Sequence, residues 1–322
     1  MELTIAIVLF GVGLLFIIKG GDWFVESASK IAHAARIPTF IVGATVVSFA
    51  TTLPELTVSI MATIAGKNEL TVGNATGTVI ANLGLVLGVA ITFMTIKTPR
   101  KEYWLQCVLL IISALLLWVG CLGKSLELWI SIILLLICGF FFITNLFQGR
   151  QKVGQLEDSI PLVDKEPTKK TFSVLSVTIF FVLGAIGILV GSNLLIYGGS
   201  TIANTLGIPE HIVAVTLIAI STSLPELVTT ISAIRKNEGG LSIGNILGAS
   251  IINITLILST CSIISKNTLL ISQQIVTIDF PFCVAFSLIA MIPILWKQRT
   301  YNWQGILLIL GYISYLALSI IF

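Results

Sequence analysis

The chain has 322 residues, 56% of them hydrophobic and only 10% charged, and a formal net charge of +3. A soluble domain carries about 25% charged residues, and here apolar runs long enough to cross a hydrocarbon core of about 30 Å recur from end to end. These figures exclude a soluble globular domain, and with it nucleic acid as a partner; the lipid bilayer is the expected surrounding.

In chain order, helical spans are expected near 3–35, 38–66, 70–96, 102–120, 126–147, 172–206, 209–236, 240–265, 279–297 and 303–321. The first opens on Met1-Glu2 without a basic segment, so it is expected to be a retained helix rather than a cleaved signal. The first and sixth are too long to stand upright and should tilt or protrude. With the N-terminus outside, fourteen Lys and Arg residues fall in inside segments, among them Lys30, Arg36, Lys97, Arg100, Lys101, Lys236, Lys297 and Arg299. Only Lys67, Lys124 and Lys266 fall outside. That bias places both termini extracellular and residues 148–171 in the cytoplasm of a multi-pass cell-membrane protein. The acids of that segment, Glu157, Asp158, Asp164 and Glu166, alternate with lysines and read as a solvated hinge.

The five cysteines lie in or beside apolar runs without CxxC spacing, as small apolar side chains do. With two histidines, no HExxH and no nucleophile–base set, an enzyme has no chemistry to stand on. Lys19, Asp22, Glu26 and Lys30 are spaced as an ion-pair ladder along one helix. Trp104, Trp129, Trp296 and Trp303 read as interfacial belt residues.

The sequence repeats itself. "IPTFIVGATVVSFATTLPEL" (37–56) matches "IPEHIVAVTLIAISTSLPEL" (208–227), and "LTVGNATGTVIANLGLVLG" (70–88) matches "LSIGNILGASIINITLILS" (241–259), at one offset of 171 residues. Residues 1–147 thus form a first five-helix repeat with its motif at 38–88, and 172–322 a second with its motif at 209–259. An odd number of spans per half turns the second upside down. The expected fold is an all-α membrane protein: ten transmembrane helices in two inverted-topology five-helix repeats, with helices 2 and 7 broken. Such an architecture points to a secondary transporter with a midplane site.

Pro54 stands near the middle of the second span. It supplies no N–H, so the helix must kink or unwind and the carbonyls from Ser48 to Thr51 should lose partners. Locally, Thr52, Pro54 and Glu55 spell a capping box, and Ser223, Pro225 and Glu226 repeat it. Two such caps at membrane depth are explained better by an ion. The carboxylates of Glu55 and Glu226 match the charge of one divalent cation, and with freed carbonyls they supply the oxygen shell that Ca²⁺ prefers. The hydroxyls of Thr51, Thr52, Thr222 and Ser223 suit Na⁺ as well. The Gly73/Gly77 and Gly244/Gly248 pairs predict close helix packing. Asn82 and Asn253 should face the broken helices. Asn74 and Asn245 either tie up unwound backbone or act as ligands.

"TTLPEL" with "GNATGTVIAN", and "STSLPEL" with "GNILGASIIN", resemble the paired α-repeats of the sodium/calcium exchangers in the cation/calcium antiporter superfamily, over essentially the whole chain. The resemblance implies Na⁺/Ca²⁺ antiport by alternating access, with no cofactor and a functional monomer. It implies Ca²⁺ held by the Glu55 and Glu226 carboxylates and the Thr51 and Thr222 carbonyls. One Na⁺ would use the Ser48 carbonyl, the Thr52 and Thr78 hydroxyls and Glu226. Its mirror would use the Ala219 carbonyl, the Ser223 hydroxyl, position 249 and Glu55, with Asn82 and Asn253 lining the centre. The chain departs from the family pattern at Ala249, which lacks a hydroxyl, and at Asn253, where members often carry aspartate. The proton-coupled branch, whose GNxxE glutamates are Gly77 and Gly248 here, resembles the chain less. An H⁺-driven or other cation antiporter on the same scaffold, or a cation channel or sensor, are the alternative readings.

Overall fold

A computed structural model describes residues 2–158, 173–205, 223–265 and 269–321. The described chain is helical apart from one two-residue β-pair. The helices are α1 (Glu2–Ala34), α2 (Thr39–Thr51), α3 (Leu53–Ile64), α4 (Asn68–Phe93), α5 (Arg100–Gly120), α6 (Leu128–Asp158), α7 (Val174–Thr205), α8 (Leu224–Arg235), α9 (Gly239–Ile264), α10 (Ile275–Lys297) and α11 (Asn302–Ile321). Among the described residues seven helices are long and apolar enough to cross a membrane, eight when the bent pair α2–α3 counts as one span. The expected seventh span lies outside the described residues as far as position 222.

The repeat is visible in the element boundaries. α3 and α8 begin and end 171 residues apart, and so do α4 and α9. Even the turns after α3 and α8 agree. Gly66 (φ 71°) and Asn237 (φ 58°) take the left-handed conformation, the residue types that tolerate it best. The next N–H then reaches back five residues, Lys67 to Ala62 O at 2.9 Å and Glu238 to Ala233 O at 2.8 Å.

α4 and α9 form the centre, with 72% and 83% of their most apolar stretches buried, against 22% and 17% for α1 and α7. The last two therefore form an outer layer whose free faces suit lipid. They meet each other through glycines: a Cβ on Gly13 would lie 2.8 Å from Gly191 O, and one on Gly20 2.9 Å from Gly184 O. The pairing of low with high numbers shows that α1 and α7 run antiparallel.

Of the two glycine pairs expected to pack closely, a Cβ on Gly73 or Gly77 would meet no described residue within 4 Å, whereas Gly244 and Gly248 bring described helices together. Their missing side chains admit the backbone of α2 at Phe40 and Ala44, in the same chain direction. Elsewhere Gln106 Nε2 on α5 donates to Asn145 Oδ1 on α6 at 2.9 Å. The strands Ser125–Leu126 and Leu269–Leu270 pair antiparallel at one end of the bundle. At another junction Thr98 N–H donates to Gln298 O and Thr300 N–H to Ile96 O, joining the α4–α5 and α10–α11 connections.

All five cysteines are free and buried. The belt tryptophans Trp104, Trp129, Trp296 and Trp303 are exposed. The ladder on α1 forms only in part. Lys30 pairs with Glu26 at 2.6 Å, and Lys236 from the α8–α9 turn reaches the other Glu26 oxygen at 3.1 Å. Lys19 and Asp22 make no ion pair with a described residue, and the second cation at Glu26 comes from the α8–α9 turn instead.

Candidate functional site

The break expected near Pro54 falls at Thr52. α2 ends at Thr51, α3 opens with Pro54 in its first turn, and the two axes differ by 43°. Residue 54 has no N–H to offer the carbonyl of Ala50, so an unbroken ladder is impossible there.

The capping box is not formed. Thr52 has φ −88° and ψ 0° rather than the extended backbone of a true N-cap, and its side chain makes no cap bond. The hydroxyl turns back and donates to Ser48 O. Ser223 likewise has φ −94° and ψ 5° and no cap bond. At Thr52 the near-helical backbone aims the side chain at the preceding turn, not at the one that follows. The Ser48 carbonyl, expected to be freed, is therefore engaged: it also accepts the Thr52 N–H at 3.0 Å and the Thr51 hydroxyl at 3.3 Å.

Glu55 and Glu226 are both fully buried, at 0% exposure. None of their four carboxylate oxygens has a hydrogen-bond partner among the described residues. The two are close enough for the charge of Glu226 to act on Glu55. Burial of an unpaired charge costs several kcal/mol, roughly, even after relaxation. Two buried acids without donors among the described residues can receive a cation.

A second layer holds the breaks open. Asn74 Nδ2 on α4 donates to Glu55 O at 3.1 Å and to Ser59 Oγ at 2.9 Å. Asn245 on α9 accepts the Thr51 hydroxyl at 3.2 Å and donates to Thr229 Oγ1 at 3.0 Å. Thr229 in turn donates to Glu226 O at 2.9 Å. Asn74 thus ties the backbone beside Glu55, one of the two roles the sequence left open, whereas Asn245 bonds only side chains among the described residues and reaches the Glu226 carbonyl through the Thr229 hydroxyl. Ser59 and Thr229 were not singled out in advance; the signal available was that Ser59 and Thr230 both carry hydroxyls at the 171-residue offset.

Asn82 and Asn253 are buried at 0% exposure. Each opens a π-helical stretch, Asn82–Leu87 in α4 and Asn253–Ile257 in α9. Both amide atoms of Asn82 and the Oδ1 of Asn253 lack partners among the described residues, while Asn253 Nδ2 donates to Ala249 O at 2.9 Å. π-turns inside α-helices frequently mark functional sites. Thr78 is buried with its hydroxyl donating to Asn74 O at 2.8 Å, which leaves its oxygen lone pairs available. Ser223 Oγ is buried and has no partner among the described residues. Thr222 and Ala219 lie outside the described residues.

Among the described residues no group of three or more His, Cys, Asp or Glu converges. The donors are two carboxylates, amide oxygens and hydroxyls, all hard oxygens suited to Ca²⁺ or Na⁺ and poorly suited to softer transition metals. Ala249 breaks the symmetry with Thr78: it is buried and offers only a methyl. Ala249→Ser is therefore expected to raise apparent Na⁺ affinity or the Hill coefficient for Na⁺ and to leave Ca²⁺ affinity nearly unchanged. A Na⁺ titration of Ca²⁺ release from proteoliposomes reads this, and superimposable curves for wild type and variant would show that position 249 does not limit Na⁺ binding.

The chain is 30% identical to the sodium/calcium exchanger MaX1 of Methanosarcina acetivorans, over 98% of each sequence. It is also 30% identical to the inner membrane protein YrbG of Escherichia coli, over 98% of this chain and 97% of that one. Its fold matches the sodium-calcium exchanger NCX_Mj soaked with Na⁺ and Sr²⁺, with TM-score 0.80, 28% identity and 98% of both chains covered. It matches the same exchanger soaked with Na⁺ and zero Ca²⁺ with TM-score 0.81, 27% identity, and 98% of this chain and 99% of that one covered. Residues 5–147 and 176–321 match the family described as sodium/calcium exchanger protein, and the chain, a multi-pass membrane antiporter, belongs to that family.

Proposed function

We propose that this protein exchanges Ca²⁺ for Na⁺ across the cell membrane by alternating access, with Ca²⁺ held between Glu55 and Glu226. The observation that carries this reading is the pair of fully buried carboxylates whose four oxygens lack hydrogen-bond partners among the described residues. Their joint charge balances one divalent ion. The Thr51 and Thr222 carbonyls and the side-chain oxygens of Asn82 and Asn253 complete a shell of six to eight oxygens, roughly what Ca²⁺ takes. Na⁺ sites flank it: Thr52, Thr78 and the Ser48 carbonyl on one side, Ser223 and the Ala219 carbonyl on the other. With the Ser48 carbonyl already accepting the Thr52 N–H and the Thr52 hydroxyl, Na⁺ binding there requires the Thr52 hydroxyl to swing away from it.

The architecture we infer is ten transmembrane helices in two inverted five-helix repeats, residues 1–147 and 172–322, joined by a cytoplasmic linker with both termini extracellular. The antiparallel pairing of α1 with α7, which occupy the same place in the two halves, supports inversion. The identical spacing of α3–α4 and α8–α9 supports the repeat itself. A site between two inverted, broken helices opens to either side as the halves rock, which favours alternating access over an open pore. The transported ions are the partners, no cofactor or enzymatic step is involved, and the unit is a monomer.

The test is transport. Proteoliposomes loaded with Na⁺ and diluted into Na⁺-free buffer with ⁴⁵Ca²⁺ are expected to accumulate Ca²⁺, and an imposed proton gradient in Na⁺-free buffer to give none. Equal uptake under the proton gradient alone would transfer the assignment to a proton-driven exchanger on the same scaffold.

A further inference from the structure

The connections α4–α5 and α10–α11 are some 200 residues apart in sequence, yet they are stitched into one unit by a backbone bridge between Lys97 and Arg299. The stitch is reinforced by Ile96 N–H donating to Thr300 Oγ1 at 2.9 Å and Arg100 N–H to Gln298 Oε1 at 3.3 Å. Gln298 takes a left-handed φ of 55° to make the corner. The result is that Lys97, Arg100, Lys101, Lys297 and Arg299, all exposed, are gathered at one end of the bundle. None of the five forms an ion pair with a described residue. Arg299 instead lies over the Tyr301 ring, 4.7 Å from its centre.

Beside this cluster is a cavity of ≈ 750 Å³ lined by Pro99, Arg100, Lys101, Glu102, Trp104 and Gln298. It shares Glu102 with a second cavity of ≈ 470 Å³ whose wall includes His33, Arg36 and Tyr103. Glu102 is the one acid in the described walls of these two cavities. Trp104, exposed one turn into α5, marks the depth at which headgroups end and acyl chains begin. A cavity whose described walls carry more cations than acids, at headgroup depth, with an aromatic wall towards the acyl region, suits an anion that brings its own apolar tail.

We propose that this groove binds the phosphate headgroup of an anionic glycerophospholipid from the leaflet on its side, with Arg100, Lys101 and Arg299 contacting the phosphate and Trp104 packing on the first acyl carbons. The site fastens the two connections together from outside and is independent of which ions are carried. Basic residues near a membrane surface each contribute about 1 kcal/mol of attraction to anionic lipid. Removing three of them should therefore weaken the site by at least about tenfold, allowing for screening.

The probe is lipid retention. Protein is reconstituted in phosphatidylcholine vesicles containing phosphatidylglycerol, gently delipidated, and the lipid still bound is counted by native mass spectrometry. Wild type is expected to retain phosphatidylglycerol over phosphatidylcholine. The Arg100→Gln/Lys101→Gln/Arg299→Gln variant should lose at least about tenfold of that preference, and Lys124→Gln, at a different connection, should keep it. Displacement of the bound lipid by millimolar inorganic phosphate would overturn the lipid assignment in favour of a free anion. Equal retention by wild type and the triple variant, or no preference in wild type, would overturn the site itself. A triple variant that fails to fold is replaced by the three single variants, each expected to lose part of the preference.

Discussion

Glu55→Gln and Glu226→Gln are each expected to reduce Na⁺-dependent Ca²⁺ exchange by about two to three powers of ten while the protein still inserts and folds. Glutamine keeps the shape of the side chain and removes one charge. A divalent ion at the site then faces a single carboxylate in a medium of low polarity. Breaking a buried charge pair from one side costs about 3–5 kcal/mol, and each 1.4 kcal/mol, roughly, is a factor of ten. The same substitution has the opposite effect on the ion-free protein. There the two carboxylates lie near each other without donors among the described residues, so removing one relieves repulsion and desolvation. Melting in chelator should thus be unchanged or higher in the variants, while the rise in melting temperature on adding Ca²⁺ should vanish. Wild-type exchange from either folded variant would remove the glutamates from the site.

The second large effect is expected at Gly244. A valine there places a Cβ 2.2 Å from Phe40 O and 2.9 Å from Ala44 N, both backbone atoms of α2. Neither can swing aside as a side-chain tip would, so α2 and α9 must separate. Overpacking of this kind costs about 1–3 kcal/mol and occasionally more. The cost falls on the contact that brings Asn245 to the Thr51 hydroxyl. Gly244→Val is therefore expected to lower the melting temperature in detergent by several degrees and to cut exchange severely in whatever protein folds. Gly139→Val, where an added Cβ meets no described residue within 4 Å, is the comparison and should show neither loss. Equal stability of the two variants would mean that the α2–α9 contact is not the constraint described here.

The breaks themselves were legible in the sequence for a physical reason. Proline removes a donor wherever it stands, and a carboxylate at membrane depth needs a purpose, so "LPEL" twice at a 171-residue offset carries both the kink and the candidate ligands. The glycine pair on α9 was legible too, because small residues one turn apart admit a neighbouring backbone whatever that neighbour is. The capping box was misread because its pattern is local while its outcome depends on the turn before it. With Thr52 held near helical angles by the continuing α2, its hydroxyl finds the Ser48 carbonyl first.

Length, apolar content and the internal repeat determined by themselves that this chain crosses a membrane as helices in two related halves. Hydrophobic periodicity and proline chemistry need no partner to act. Only the tertiary structure decided which groups end up without partners and which are used. It gave Asn74 to the backbone beside Glu55, gave Asn245 to the hydroxyls of Thr51 and Thr229, and left Asn82 open at the start of a π-turn. It also drew Lys97 and Arg299 together across two connections. Hydrogen bonds and charge clusters between distant segments depend on where helices pack. That packing is set by the shapes of two surfaces at once, which no single stretch of sequence contains.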